Sequence, residues 1–174
     1  MYVPDLDIGP GMEPIRVPNG SYQVLLKTDA GVEKQMLQVL QDPNAGSTKE
    51  AIAAQYALGK DLRTSIKACF DLIAEMEMKR AALLKENSAK SLALEQQVYA
   101  LESKLFDTHQ TGARWDEFRN PVQITERLLA ISKESQTYGA DFAPTTQQLQ
   151  MTKNLKEQFK LVLTDYQLLK KDLP

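Results

Sequence analysis

Apolar and polar residues alternate with a period of two in the early part of the chain. Over residues 21–28, Tyr22, Val24 and Leu26 fall on one face of a predicted strand. Over residues 32–40, Leu37 and Val39 share one face of a returning strand, and the intervening turn contains a glycine that can adopt positive φ. The pattern predicts a β-hairpin, which is marginal in water unless it packs on something else.

The hydrophobic period changes to about 3.6 from residue 47 onwards, which predicts amphipathic helices. Ser47 and Glu50 predict a capping box at the start of a first helix that extends to about Glu86. Ser88 is the predicted cap of a second helix. The apolar stripe of the second helix includes Leu92, and that of the first helix includes Leu84 near its end. Arg80 interrupts the first stripe, and we expect its long side chain to extend past the end of the bundle.

Two further helices complete the predicted fold. Asn120 and Pro121 predict the start of a third helix, and a fourth opens near Pro144. The fourth helix has an apolar seam at alternating steps of four and three residues, formed by Leu155, Phe159, Val162, Tyr166, Leu169 and Leu173. The residues expected to hold the bundle together are Ile66, Phe70, Leu101, Ile124, Phe159 and Tyr166.

The predicted fold class is mainly α, an antiparallel four-helix bundle with an N-terminal β-hairpin. Residues 1–45 form an irregular segment with the hairpin, and residues 46–174 form the bundle. Tyr22, Val24, Leu37 and Val39 are the residues expected to hold the hairpin together.

Composition excludes several classes of function. The 174 residues include 21 basic and 23 acidic side chains, and a net charge of −2 leaves no electrostatic footprint for nucleic acid. No apolar run is long enough to span a membrane, and the N-terminus has no signal-peptide pattern. One cysteine and one histidine exclude an intrachain disulfide and any site that needs two imidazoles.

Candidate catalytic groups are few, and each has a structural explanation. Cys69 lies on the apolar stripe of the first helix, which indicates a buried, unreactive thiol. His109 lies in a polar loop and is expected to face solvent. Two pairs of carboxylates are possible, Asp71 with Glu75 on a helix surface and Asp116 with Glu117 in a connection. Lys79 follows Glu75 by four residues, so an ion pair on a solvated helix face explains Glu75. We therefore expect no catalytic, cofactor-binding or metal-binding residue and no cofactor.

Aromatic residues are the candidate contacts with a partner. Trp115 and Phe118 lie between two arginines in the connection before the third helix, where they could anchor an interface or fold over the end of the bundle. Tyr22 and Val24 on the hairpin are the other candidates.

Several short segments together resemble a family of large bacterial proteins. Residues 17–31 resemble the strand and turn that end an immunoglobulin-like module in proteins with sortilin-like β-propellers of neuraminidase-type (BNR) repeats, which are labelled glycosyl hydrolases. Residues 38–43 are similar to their next strand, and residues 118–121 to the start of one of their helices. Residues 144–145 and 171–174 resemble the ends of their last helix.

The resemblance implies that this chain is a C-terminal piece, namely the last hairpin of an immunoglobulin-like sandwich followed by a helical bundle. Any sugar chemistry of the family would belong to a propeller that this chain does not contain. The expected function is therefore a non-catalytic accessory or interaction module of a larger exported protein. Its expected partner is the propeller or another protein chain, including a second copy, and its expected location is extracytoplasmic.

Two alternatives come from other functional classes. The chain could be a small glycoside hydrolase that uses a pair of carboxylates, which would then face one pocket about 5–10 Å apart. It could also be a coiled-coil adaptor that oligomerises through the seam of the fourth helix.

Overall fold

The computed structural model describes residues 14–109, 120–135 and 141–173. Strands β1 (Gly20–Thr28) and β2 (Gly31–Val39) are followed by helices α1 (Lys49–Glu86), α2 (Ala89–Glu102), α3 (Ile124–Lys133) and α4 (Thr146–Leu169). A short 3-10 helix, Lys170–Asp172, ends the described chain. The prediction of a mainly α fold, a helical bundle with an N-terminal hairpin, is confirmed.

The hairpin has the predicted strands and the predicted faces. The strands pair antiparallel, with Tyr22 opposite Leu37, so most of the apolar residues of the two strands share one face. We call this the apolar face; its apolar residues are Tyr22, Val24, Leu26, Leu37 and Val39, and it also carries Glu33 and Gln35 of β2. Gly31 follows the two-residue turn with a φ of 142°, a conformation that favours glycine.

Helices α1 and α2 run antiparallel because the two residues between them reverse the chain. Asn87 adopts the left-handed conformation with a φ of 53°, and its N–H donates to the carbonyl of Leu83. Ser88 then caps α2 as predicted: its hydroxyl accepts from the N–H of Ser91, and the hydroxyl of Ser91 accepts from the N–H of Ser88. The capping side chains thus satisfy N–H groups that the first turn of a helix leaves free.

One hydrophobic core joins all four helices. It contains much of each predicted stripe, and its fully buried side chains include Leu62, Ile66, Met76, Val98, Leu128, Leu155 and Tyr166. Of the predicted seam of α4, Leu155, Val162 and Tyr166 are buried, and Phe159, Leu169 and Leu173 pack against the same core. The seam therefore contributes to the interior of this chain. Leu84 and Leu92, which the stripes also included, are exposed.

The start of α1 differs by one residue from the prediction. The cap is Thr48, whose hydroxyl accepts from the N–H of Ala51 at 3.1 Å. The hydroxyl of Ser47 is buried and has no hydrogen-bond partner within the described part of the chain. Sequence spacing alone favoured Ser47 because Glu50 follows it by three residues, whereas the backbone places the first helical residue at Lys49.

This difference predicts that two similar substitutions change the free energy of unfolding by different amounts. Thr48→Ala should lower the free energy of unfolding by about 1 kcal/mol, because it removes an N-cap hydrogen bond. Ser47→Ala should change it by less than about 0.5 kcal/mol, because the hydroxyl it removes makes no bond. Urea unfolding of both variants measures the difference. A larger loss of stability for Ser47→Ala than for Thr48→Ala would indicate that Ser47 is the N-cap, as the sequence predicted.

The start of α3 also differs from the prediction. The helix begins at Ile124 rather than after Asn120 and Pro121, and Gln123 is its N-cap residue. The carboxylate of Glu126 accepts hydrogen bonds from the backbone N–H groups of Gln123 and of Asp107. Glu126 therefore holds the first turn of α3 against the loop that follows α2, a tertiary contact that residue spacing does not reveal.

Candidate interaction surfaces and polar clusters

Arg80 forms a cluster with two carboxylates between α1 and α2. Its Nε donates to Glu95 Oε1 at 2.8 Å, and its Nη1 donates to Glu102 Oε2 at 2.7 Å. The guanidinium also lies 4.6 Å from the centre of the Tyr99 ring, a cation–π distance. The expectation that Arg80 extends past the end of the bundle is therefore wrong. The side chain turns inward and pairs with the carboxylate of Glu102, which is only 1 % exposed.

The Arg80 cluster has the geometry of a structural ion pair. Both carboxylates accept hydrogen bonds from the same guanidinium, so the two have the same role in the cluster. Carboxylate-dependent glycoside cleavage instead needs one carboxyl that gives a proton to the sugar and a second that acts as base or nucleophile. The cluster thus joins α1 to α2 and offers no such division of roles.

Glu75 connects α1 to α4. Lys170 Nζ lies 2.6 Å from Glu75 Oε1, and the hydroxyl of Tyr166 donates to the same oxygen at 3.2 Å. The hydrogen bond from Lys170 lowers the pKa of Glu75, and the charge of Lys79 adds to this effect. Burial raises the pKa of Tyr166, which therefore keeps the proton that it donates. The sequence paired Glu75 with Lys79 along one helix, and the structure adds contacts of Glu75 with Tyr166 of α4 and with Lys170 after it.

Cys69 and His109 lie where the sequence placed them. Cys69 is buried, and burial raises the pKa of its thiol to about 11, so the reactive thiolate is scarce at neutral pH. The side chain of His109 is exposed in the loop after α2, and its Nδ1 lies 3.6 Å from Asp107 Oδ1. Within the described ranges, no group of three His, Cys, Asp or Glu side chains could hold a metal ion.

The predicted interface residues divide into two groups. Trp115 and Phe118 lie outside the described residues, as do Asp116 and Glu117. Tyr22 is half-buried, and its hydroxyl donates to the carbonyl of Pro18 at 2.6 Å, which holds its ring near the base of the hairpin. Val24 lies in the middle of β1 and is 49 % exposed. Of the four predicted interface residues, only Tyr22 and Val24 are therefore placed on one surface by the described part of the chain.

The hairpin is separate from the helical core. In the residues that the structure describes, neither strand contacts any helix. Three members of the apolar face, Val24, Leu26 and Leu37, are exposed to solvent. The opposite face is more polar and carries Ser21, Gln23, Lys27, Lys34 and Gln38 beside fewer apolar residues. Alternation of this kind is typical of an antiparallel sheet that covers a core with one face.

A second surface lies beside α4 and was not predicted. It is a groove of about 460 Å³, which we call the α4 groove. Its walls include Lys104, Val122 and Arg127 on one side, and Gln158, Leu161 and Asp165 of α4 on the other. Leu161 and Leu168 are both exposed and stand seven residues apart, so they lie on one side of the helix. The seven-residue spacing of these two leucines is present in the sequence, but the seam on the adjacent side of the helix contains more apolar residues and gives the stronger periodic pattern.

Comparison of the chain with protein families, curated proteins and solved structures finds no match. None of the described helices is both long and apolar enough to cross a membrane. The structure defines the class of this protein as a four-helix bundle that carries a separate β-hairpin.

Proposed function

We propose that this chain is a non-catalytic interaction module whose hairpin docks onto a β-sheet of another protein. The supporting observation is the apolar face, three of whose apolar residues are exposed, on a hairpin that does not contact any helix in the described part of the chain. A two-stranded hairpin is marginally stable alone, so an apolar face of this kind gains stability when a second sheet covers it. The free strand edges offer backbone N–H and C=O groups for pairing with the partner.

The proposed partner follows from the resemblance of the hairpin and helix segments to bacterial proteins with sortilin-like β-propellers. In this proposal the chain is an accessory part of a larger, exported, glycosyl hydrolase-like assembly, and the sheet that covers the hairpin belongs to that assembly or to a second copy of this chain. The near-neutral net charge of −2 agrees with a protein partner rather than a nucleic acid. Any catalysis in the assembly is assigned to the propeller.

Two neighbouring residues provide a matched test of the docking face. Val24 is 49 % exposed on the apolar face, and Leu25 is 48 % exposed on the opposite face. If the hairpin docks through its apolar face, Val24→Lys should weaken the concentration-dependent association of the chain by removing the part that involves the hairpin, because it places a charge in the contact. Leu25→Lys should leave association unchanged. Light scattering over a wide concentration range measures the average mass of each variant.

The same experiment can reject the proposal. Wild-type protein that stays monomeric at about 1 mM, a concentration that detects even weak complexes, would contradict docking if its hairpin amides are well ordered by NMR. Equal loss of association in Val24→Lys and Leu25→Lys would show that the apolar face has no special role. Circular dichroism of the helices checks that both variants keep the bundle.

The alternative adaptor function loses its proposed contact in this structure. The seam that would have joined two copies contains Tyr166, which is 1 % exposed, and Phe159, which packs against the core. Substitution of these residues would disturb the interior of the chain before it disturbed an interface. Self-association through α4 would have to use the other side of that helix.

A further inference from the structure

We infer that the α4 groove is a contact surface for a second copy of this chain, related to the first by a two-fold axis. The contact would combine the exposed leucines of α4 with charged residues on both walls of the groove. It is independent of the hairpin, because the groove and the hairpin share no residue.

The apolar part of this surface follows the side of α4 that adjoins the buried seam. Leu161 is 68 % exposed and Leu168 is also exposed, one heptad apart. Two exposed leucines one heptad apart, next to a groove, are an arrangement with which helices bind other helices. Leu161 lines the groove directly.

The groove carries three exposed charged side chains. Lys104 and Arg127 lie on one wall and Asp165 on the other. Among the described residues, none of these three side chains takes part in an ion pair or a side-chain hydrogen bond. They are therefore accessible to an occupant that carries both acidic and basic side chains.

A second copy of the same surface supplies both. In a two-fold contact, if one residue of the first copy contacts a given residue of the second, the same pair also forms with the copies exchanged. Asp165 of each copy can therefore approach Arg127 or Lys104 of the other. The leucines of the two α4 helices then cover each other. A net charge of −2 per chain gives little long-range repulsion between the copies. This complementarity selects a second copy over a uniformly acidic or basic partner.

The test uses full-length protein that carries Val24→Lys, so that association through the hairpin does not contribute. Sedimentation velocity and light scattering should still detect a species of twice the monomer mass of 19.6 kDa at high concentration. Leu161→Glu should raise the dissociation constant about tenfold or more, because it places a charge among leucines. Met78→Glu is the matched control, since Met78 is also 68 % exposed but lies on α1 outside the groove. It should leave the dimer intact.

Charge exchange tests the two-fold arrangement itself. Arg127→Glu should weaken the dimer about tenfold, and addition of Asp165→Arg should restore most of the loss, since the exchanged charges again face each other across the axis. Leu168→Glu provides a second apolar variant if Leu161→Glu unfolds.

Three results would overturn the inference. The Val24→Lys protein could be monomeric at all concentrations, Met78→Glu could dissociate the dimer as strongly as Leu161→Glu, or the charge exchange could restore nothing. If association through the hairpin is not observed but the dimer through the α4 groove is, only the proposed function is rejected. If association through the hairpin is observed but the dimer through the α4 groove is not, only the α4 contact is rejected.

Discussion

Replacement of Arg80 by alanine should lower the free energy of unfolding by about 3 kcal/mol or more. The substitution removes the cation that Glu95 and Glu102 share, including its hydrogen bond to the 1 % exposed carboxylate of Glu102. Urea unfolding at neutral pH measures the loss.

Two controls isolate the buried charge in this prediction. Lys67→Ala breaks the exposed ion pair of Lys67 with Asp71 on the same helix, and it should cost less than about 0.5 kcal/mol. The double variant Arg80→Met with Glu102→Gln should recover much of the loss, because it removes the cation and the most buried anion together. If Arg80→Ala costs no more than Lys67→Ala, the cluster does not stabilise the contact between α1 and α2.

The second large effect is expected from a cavity in the core. Leu62 is completely buried on α1, and Leu62→Ala should destabilise the bundle by about 2–5 kcal/mol. The loss combines the missing apolar contacts with the void that neighbouring helices cannot fill. The midpoint of urea unfolding should fall without a large change in the slope of the transition.

Leu84→Ala is the matched control, because it makes the same chemical change on the same helix at an exposed position. Its expected cost is below about 1 kcal/mol, since little apolar surface leaves the core. Similar losses for the two variants would contradict the placement of Leu62 in the interior and of Leu84 at the surface.

The elements of this fold could be predicted well because the signals for them are local. The change of period from two to 3.6 near residue 47 separates the hairpin from the helices. Ser88 and the left-handed Asn87 place the turn between α1 and α2. Periodicity also identified the apolar residues that face inward, such as Ile66 and Leu155, since a helix or strand repeats its orientation at a constant spacing.

The candidate sites could be predicted only in part. The alternation of β1 and β2 correctly identified the apolar face of the hairpin. The seam of α4 was correctly identified as apolar, but its pattern did not say whether a second copy or the rest of this chain would cover it. The α4 groove depends on how Lys104, Arg127 and Asp165 come together from three parts of the chain. Residue spacing within one helix carries no information about such an arrangement.

By itself, the sequence determined the number of helices, the faces of the hairpin and the unreactive position of Cys69, because each depends on neighbours within a few turns of the chain. The tertiary structure decided which charges meet: Arg80 with Glu95 and Glu102, and Glu75 with Lys170. It also decided that the hairpin makes no contact with the helices in the described residues. The physical reason is that an ion pair or a docked surface depends on the distance between elements, which only their packing sets.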